Sequence, residues 1–376
     1  MIINCTKKLQ EQLKIKPDVV EGDNPLLSWH GNLLIVNRRK TLVLVNDKNR
    51  YTIVLHGLKA KDFNKIDDVI LHSIQYMFEQ EGIQKDVIEQ YIDSAREITF
   101  SKTKDRKLIA RMNRACETLY YFETLLDSDT IFQPTLSLKL SRDLVGDGKK
   151  DYFYANEAMY KDLEEFTGKP TFQTKALEMK ITLRLQSRNV FRKLIVPMYI
   201  TFSEFHHVIQ TAFGWQDSHL HEFYDFSNQK SNRALNPHHF AYNEEGYKPI
   251  ANLVCHPEAF NHGDNSLPKK LDHTVLLSEY MPANVTYVYD FGDNWIHDIK
   301  VQRVMEDYDK NYPTCIEGEG NTPPEDVGGE GGYEVFLEIM EDVNHPDYKQ
   351  MYAWSREQGF EDFDIKMVNR RLKDFE

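Results

Sequence analysis

The chain has 376 residues, of which 41% are hydrophobic and 28% charged, and its formal net charge is −13 at pH 7. This length is sufficient for two domains of ordinary size, each with a packed core. Residues 1–168 hold 25 Lys and Arg against 26 Asp and Glu, whereas the remainder holds 21 against 33, so the C-terminal part lacks the basic stripe of a duplex-binding protein.

Hydrophobic periodicity predicts strands and helices in the N-terminal part. The predicted strands are residues 2–5, 28–36, 41–46, 50–56 and 98–100, and the predicted helices are 7–13, 62–80, 85–95 and 104–126. The run Leu42–Val45 is continuously apolar, which indicates a strand buried on both faces. Residues 127–168 are less regular than the segments before them. Gly and Pro beyond Thr167 predict a domain boundary, giving domains 1–168 and 169–376.

The C-terminal part shows the same mixture of elements. The predicted strands are residues 176–186, 190–196, 219–226, 284–289 and 295–304, and the predicted helices are 203–213, 333–340, 346–357 and 365–375. Residues 290–294 are predicted to be a strand-joining turn, and 227–270 a long loop-rich stretch. The expected fold class is α+β, with two domains that each have a mainly antiparallel sheet and helices packed on one side.

Cysteine usage and the chain start predict the compartment. Four widely spaced cysteines form no C-x-x-C pair, which favours reduced thiols, and residues 1–8 lack the order of a signal peptide. No apolar run reaches the roughly 18–20 residues of a membrane span. We therefore expect a cytoplasmic protein without a membrane partner.

Three motifs in the C-terminal part carry a family resemblance. They are residues 215–223 (WQDSHLHEF), residues 289–297 (YDFGDNWIH), and Cys315 followed by 323–329 (PPEDVGG). On these motifs, residues 174–375 resemble the plasmid pRiA4b ORF-3-like family. The resemblance implies an association with plasmids and other mobile elements, and no particular reaction. Many relatives carry a second cysteine where this chain has Thr322, which argues against a metal–thiolate site here.

The N-terminal part resembles a separate family of unknown function. The matching segments are residues 3–9 (INCTKKL), 29–33 (WHGNL) and 38–40 (RRK), within about 1–125. This resemblance implies no activity.

Histidines and acids of the C-terminal motifs are candidate metal ligands. His219 and His221 are two residues apart on a predicted strand, so both rings are expected on one face. The other candidates are carboxylates, a histidine and a thiol that suit zinc or manganese: Asp290, Asp293, His297 and Cys315. The alternative is structural, with the histidines packed among aromatic rings and the aspartates holding a turn.

Glu325 and Asp326 are candidate catalytic bases that follow two prolines. Alternatively, they begin a helical turn, where acids are favoured. The tripeptide at 290–292 spells the kinase Asp-Phe-Gly motif, but the chain lacks the accompanying kinase motifs, so we reject a kinase.

Basic residues of the N-terminal part are candidates for nucleic-acid contacts. They form a run between two strands and a stripe at the start of a long helix: Arg38, Arg39, Lys40, Lys104, Lys107 and Arg111. The alternative is a solvated, salt-bridged helix face.

The leading hypothesis is therefore a binding or accessory module linked to mobile elements, with a protein or nucleic-acid partner. The rival is a metal-dependent hydrolase whose Zn²⁺ or Mn²⁺ ion activates water. A third hypothesis is that the acidic domain recognises a basic partner.

Overall fold

A computed structural model describes residues 1–20, 22, 24–146, 152–226, 249–261 and 267–373. The chain forms two compact units, Met1–Gln173 and Thr174–Glu376, each with its own sheet and core. The two-domain α+β class is confirmed. Most of the expected loop at 227–270 lies outside the described residues. Within the described ranges, no helix is both long and apolar enough to cross a bilayer.

The N-terminal unit is built on a five-stranded mixed sheet. Its strands are β1 (Ile2–Cys5), β2 (Ser28–Val36), β3 (Arg39–Asn46), β4 (Thr52–His56) and β5 (Thr99–Lys102), in the order β4-β3-β2-β1-β5. Strand β1 pairs in parallel with β2 and β5, and the other pairs are antiparallel. Asn37 and Arg38, between β2 and β3, have φ of 47° and 63°, the left-handed pair that suits a tight hairpin.

Helices cover both faces of this sheet. They are α1 (Lys7–Leu13), α2 (Ala60–Phe63), α3 (Ile66–Gln80), α4 (Lys85–Ala95), α5 (Arg106–Tyr121), α6 (Pro134–Ser141) and α7 (Ala155–Thr167). Leu42 and Leu44 join the core with α3, α4 and α7, whereas Val43 and Val45 join a second core with α5 and α6. The expectation of helices on one side is corrected for this unit, because β3 is apolar on both faces.

Helix α6 falls in the region without a visible hydrophobic period. Its Ser137 and Ser141 are buried, and their hydroxyls accept hydrogen bonds from the backbone N–H groups of Val54 and Thr52 in β4. Polar side chains thus occupy core-facing positions of α6, which conceals its apolar face in the sequence. A small two-stranded sheet, β6 (Leu144–Gly146) with β7 (Tyr152–Tyr154), follows α6.

We expect Asp105→Ala to destabilise helix α5 locally. The Asp105 carboxylate caps this helix by accepting from the N–H groups of Lys107 and Leu108. Loss of such a cap costs about 1 kcal/mol. Hydrogen exchange of the α5 amides should accelerate by roughly fivefold, whereas exchange in the C-terminal unit should not change. Unchanged α5 exchange would contradict the capping role.

The C-terminal unit is built on an eight-stranded sheet. Its strands are β8 (Thr174–Leu183), β9 (Val190–Pro197), β10 (His221–Asp225), β11 (Ala251–Val254), β12 (Lys269–Leu271), β13 (Asn284–Tyr289), β14 (Trp295–Tyr308) and β15 (Thr314–Glu319). The order is β12-β11-β10-β13-β14-β8-β9-β15, and every adjacent pair except β11–β12 is antiparallel.

Helices of this unit pack on the main core beside the sheet. They are α8 (Phe202–Phe213), α9 (Leu277–Tyr280), α10 (Gly329–Glu341), α11 (Tyr348–Glu357) and α12 (Ile365–Lys373). The predicted alternation in β8 is observed, since Leu177, Met179, Ile181 and Leu183 are all buried in that core. The apolar face of β8 is therefore the side of the sheet on which α8, α10 and α12 pack.

Two local structures place acidic side chains near one end of β13. The turn at 290–294 joins β13 to β14, and Asp290 and Asn294 adopt left-handed backbone with φ of 53° and 59°. The second structure is the segment that precedes α10, which contains Glu325 and Asp326. Trp215 Nε1 donates to the Pro323 carbonyl of this segment at 3.0 Å.

Buried Arg192 also holds the segment before α10. Among the described residues, its guanidinium donates only to backbone carbonyls and to the Thr322 hydroxyl, with distances of 2.8–3.3 Å. Burial lowers its pKa to about 10, which leaves it charged at neutral pH. The Thr322 hydroxyl is therefore a hydrogen-bond acceptor for an arginine.

Candidate functional site

One histidine and three carboxylates from three separate segments converge in the C-terminal unit. His219 Nε2 lies 3.0 Å from Asp326 Oδ1, 3.6 Å from Asp290 Oδ2 and 3.9 Å from Glu325 Oε2. We call these four residues the His219 cluster. Each of the three motifs that carry the family resemblance contributes to it.

The turn fixes the orientation of Asp290 in the cluster. Its Oδ1 accepts the N–H of Gly292 at 2.8 Å, and its backbone carbonyl accepts the N–H of Asn294 at 2.6 Å. The backbone N–H of Asp290 donates to the Leu220 carbonyl at 3.0 Å. These bonds leave Oδ2 directed at His219. Asp290 therefore holds the turn through Oδ1, as the structural alternative predicts, and also belongs to the cluster through Oδ2.

Glu325 is the deepest member of the cluster. Its Oε1 accepts from the Gln216 N–H and the Tyr289 hydroxyl, both at 2.9 Å, whereas Oε2 has no hydrogen-bond partner among the described residues. The residue is only 1% exposed. Burial raises its pKa and the Asp326 charge adds to this, whereas the bonds from Gln216 and Tyr289 and the nearby His219 oppose it.

The cluster carries excess negative charge. Among the described residues, Asp290, Glu325 and Asp326 form ion pairs only with His219. Even with a protonated imidazole, the four groups would sum to −2. Although Asp326 Oδ1 is only 3.0 Å away, its direction gives no hydrogen bond to His219 Nε2. His219 Nε2 therefore lies within 4 Å of an oxygen of each carboxylate without a hydrogen bond to any of them.

His221 lies outside the cluster, which corrects the expectation that it shares a face with His219. Strand β10 begins at His221, so His219 precedes the strand and the period-two rule does not apply. The His221 ring stacks on His206 at a centroid distance of 3.5 Å and an angle of 7°. Its Nε2 lies 2.7 Å from Asp272 Oδ2.

His297 is also outside the cluster and is enclosed by aromatic rings. The rings of Phe213, Trp215 and Tyr287 lie 4.9–5.2 Å from it, and neither of its nitrogens has a hydrogen-bond partner among the described residues. Burial lowers its pKa to about 3, although backbone groups at Tyr287 and Trp295 partly oppose the shift. His297 is therefore packed among aromatic rings, which is the structural alternative given for the histidines in the sequence analysis.

Cys315 and Asp293 contact other groups. Cys315 Sγ donates to the Glu317 carbonyl at 3.4 Å, and its backbone bonds the Asn369 side chain. Asp293 Oδ2 accepts from the Gly328 N–H at 3.0 Å. The structure thus brings together His219, Asp290, Glu325 and Asp326, and leaves the other candidate ligands apart.

A second polar group was not predicted from the sequence. Buried His206 on α8 bonds Asp217 Oδ1 through Nε2 and the Tyr287 hydroxyl through Nδ1, each at 2.7 Å. His207 Nδ1 lies 3.4 Å from the other Asp217 oxygen. The sequence signal was the adjacent pair of histidines on a predicted helix, but nothing local indicates that a loop aspartate faces both.

The basic candidates of the N-terminal unit lie in two places. Arg38, Arg39 and Lys40 are at the start of β3, and Arg111 Nη1 lies 3.5 Å from the Asp47 carbonyl just beyond its end. Lys104 and Lys107 precede Arg111 along the chain. The two ends of β3 are roughly 25 Å apart in an extended strand, so the two groups of basic residues are separated by about the length of this strand.

Comparison with known proteins agrees with both resemblances. Residues 175–372 match the family described as plasmid pRiA4b ORF-3-like protein, and residues 2–158 match a domain of unknown function, DUF6933. The uncharacterized protein y4hQ of Sinorhizobium fredii (strain NBRC 101917 / NGR234) is 29% identical over 194 residues, which cover 51% of this chain and 86% of y4hQ. The crystal structure of MM3350, a protein of unknown function from Methanosarcina mazei Go1, aligns with a TM-score of 0.40 and 26% identity over 52% of this chain and 97% of that chain.

Proposed function

Because the chain belongs to the plasmid pRiA4b ORF-3-like family through its C-terminal half, we propose that it is a binding or accessory module associated with mobile elements. Its C-terminal unit binds a positively charged ligand at the His219 cluster. The observation that carries this proposal is the excess charge of three carboxylates around one imidazole. The Asp290 and Asp326 ligand oxygens lie within 4.8 Å of each other, and like charges at this distance repel, so a cation that enters the cluster is stabilised.

We do not extend the proposal to metal-dependent hydrolysis. In the predicted form of that reaction, Glu325 or Asp326 acts as a base on a metal-bound water while other residues hold the ion. Glu325 and Asp326, the two predicted bases, are themselves members of the cluster. The separated basic residues of the N-terminal unit are likewise not part of the proposed site.

The proposal is tested by neutralising the cluster in the full chain. The variant carries Asp290→Asn, Glu325→Gln and Asp326→Asn together. Its binding of two probes, MnCl₂ and a tetra-arginine peptide, is compared with wild type by calorimetry at low salt. At least one probe should bind wild type at least tenfold more tightly than the variant. Failure of both probes to bind wild type, or equal binding to both proteins, would overturn the proposal.

Tyr289 is expected to act as a positioning residue for this site. Its hydroxyl donates to Glu325 Oε1 and accepts the Ser218 N–H at 2.9 Å. Tyr289→Phe should weaken binding of the effective probe by roughly 10–100-fold, as loss of such supporting bonds does at metal sites. Tyr308→Phe is the control, because its buried hydroxyl bonds Tyr312 and Thr314 instead. Equal losses in the two variants would contradict the positioning role.

A further inference from the structure

The proposed cation site has an unpartnered buried oxygen at its base. Glu325 is 1% exposed, and its Oε2 has no hydrogen-bond partner among the described residues while lying 3.9 Å from His219 Nε2. A buried carboxylate oxygen without a partner is strongly destabilising. A small cation near His219 Nε2 would lie beside this oxygen, because the two atoms are 3.9 Å apart.

In Asp290 and Glu325, hydrogen bonds hold one carboxylate oxygen and not the other. Asp290 Oδ1 is bonded to the Gly292 N–H, and Glu325 Oε1 is bonded to Gln216 and Tyr289. In both residues the other oxygen faces His219. Protein groups that fix one atom of a ligand and aim the other at an ion are a general feature of metal sites.

The spacing of the side chains fits direct coordination. His219, Asp290 and Asp326 offer ligand atoms that all lie within 4.8 Å of one another. Ligand atoms at about 2.0–2.2 Å from a dication lie roughly 3–4.3 Å apart. The three separations from His219 Nε2 are 3.0, 3.6 and 3.9 Å, within this range.

We propose, resting on the cation-binding function above, that the His219 cluster is an inner-sphere site for a divalent transition metal, Mn²⁺ or Zn²⁺. His219 Nε2, Asp290 Oδ2 and Asp326 Oδ1 coordinate the ion, and the buried Glu325 Oε2, 3.9 Å from His219 Nε2, adds negative charge beside it. One imidazole nitrogen with three carboxylates suits these ions, whereas an all-oxygen set suits Mg²⁺ or Ca²⁺. The neutral imidazole and the three carboxylates leave a charge of −1 with the ion bound.

The exposed side of the site remains open to a further ligand. The Asp326 side chain is 59% exposed and that of His219 29%. Leu220 and Phe291, which neighbour His219 and Asp290 in sequence, are more than half exposed. An ion held here is therefore accessible from solvent and exchanges with added metal.

The test uses the full chain after treatment with EDTA and dialysis, titrated separately with MnCl₂, ZnCl₂ and MgCl₂. Wild type should bind Mn²⁺ and Zn²⁺ in competition with each other and at least tenfold more tightly than Mg²⁺. Asp290→Asn and His219→Gln should each weaken Mn²⁺ binding at least tenfold. Asp307→Asn, an exposed carboxylate of β14, should bind as wild type.

The outcomes separate this inference from the function on which it rests. No Mn²⁺ or Zn²⁺ binding, together with peptide binding that depends on the three acids, would overturn the metal site and leave cation recognition intact. Metal binding that persists in Asp290→Asn and His219→Gln but is lost in His207→Ala would also overturn it, since the ion would then occupy the group of His206, His207 and Asp217. Failure of all cationic probes would overturn both.

Discussion

Glu325→Gln should weaken Mn²⁺ binding at least tenfold and, in metal-free buffer, make the protein more stable. The opposite signs have one cause. Burial raises the pKa of Glu325 because the ionised form is poorly accommodated, so at neutral pH the unfolded state gains more from ionisation than the folded state does. A neutral amide keeps the acceptor for Gln216 and Tyr289, and removes a buried charge. An unsatisfied buried polar atom costs about 1–3 kcal/mol, and each kcal/mol shifts Tm by roughly 2–4 °C for a domain of this size.

Thermal unfolding of wild type and Glu325→Gln, with and without MnCl₂, measures both effects. Added Mn²⁺ should raise the wild-type Tm more than the Tm of the variant, because the stabilisation by a ligand grows with its affinity for the folded state. Asp307→Asn is again the matched control. A Glu325→Gln protein that is less stable without metal would contradict the account of an unsatisfied carboxylate. An equal rise of Tm with Mn²⁺ would contradict its place in the site.

Acid should destabilise the C-terminal unit between pH 6.5 and pH 4. Burial lowers the pKa of His297 to about 3 and that of His206 to about 4. Above pH 6.5 these histidines are neutral in both states. As pH falls below 6.5, the unfolded chain takes up protons that the folded unit does not, so stability decreases by up to about 1.4 kcal/mol per pH unit for each histidine.

His297→Phe should reduce this loss by about 2–3 kcal/mol between pH 7 and pH 4.5. The substitution removes a titrating ring whose nitrogens make no hydrogen bonds to described residues. His297→Leu provides a second neutral side chain in case the larger ring strains the aromatic surroundings. Urea unfolding at the two pH values gives the difference. His345→Ala, at a partly exposed side chain, should retain the wild-type slope. The same slope in all four proteins would contradict the role of His297.

Local periodicity was sufficient to predict much of the framework around the site. The alternating residues of β8 and the turn composition at 290–294 are properties of short segments, and both appear in the structure. The fold class followed from the same patterns. Helix α6 escaped prediction because Ser137 and Ser141 satisfy the backbone of β4 and interrupt the apolar period.

The membership of the site could be predicted only in part. His219 and Asp290, two of the predicted ligands, lie in one cluster. His221 is grouped with them in the sequence because it lies two residues from His219 on a predicted strand, and His297 because its segment is expected to face that strand. Strand β10 begins at His221, so His219 lies before the strand, and the His221 ring stacks on His206 instead. Glu325 joins from a segment more than a hundred residues from His219 through the bonds of Gln216 and Tyr289. Contacts between segments this far apart leave no periodic pattern in the sequence from which they could be predicted.

Anomalous X-ray diffraction from crystals of the full chain soaked in MnCl₂ or ZnCl₂ tests the central claim most directly. Data collected on both sides of the metal absorption edge locate the ion without reference to activity. The account predicts one strong anomalous peak within about 2.0–2.3 Å of His219 Nε2, Asp290 Oδ2 and Asp326 Oδ1, with Glu325 Oε2 turned towards it. A difference map with no peak among these four residues, or with its only peak at His206, His207 and Asp217, would contradict it.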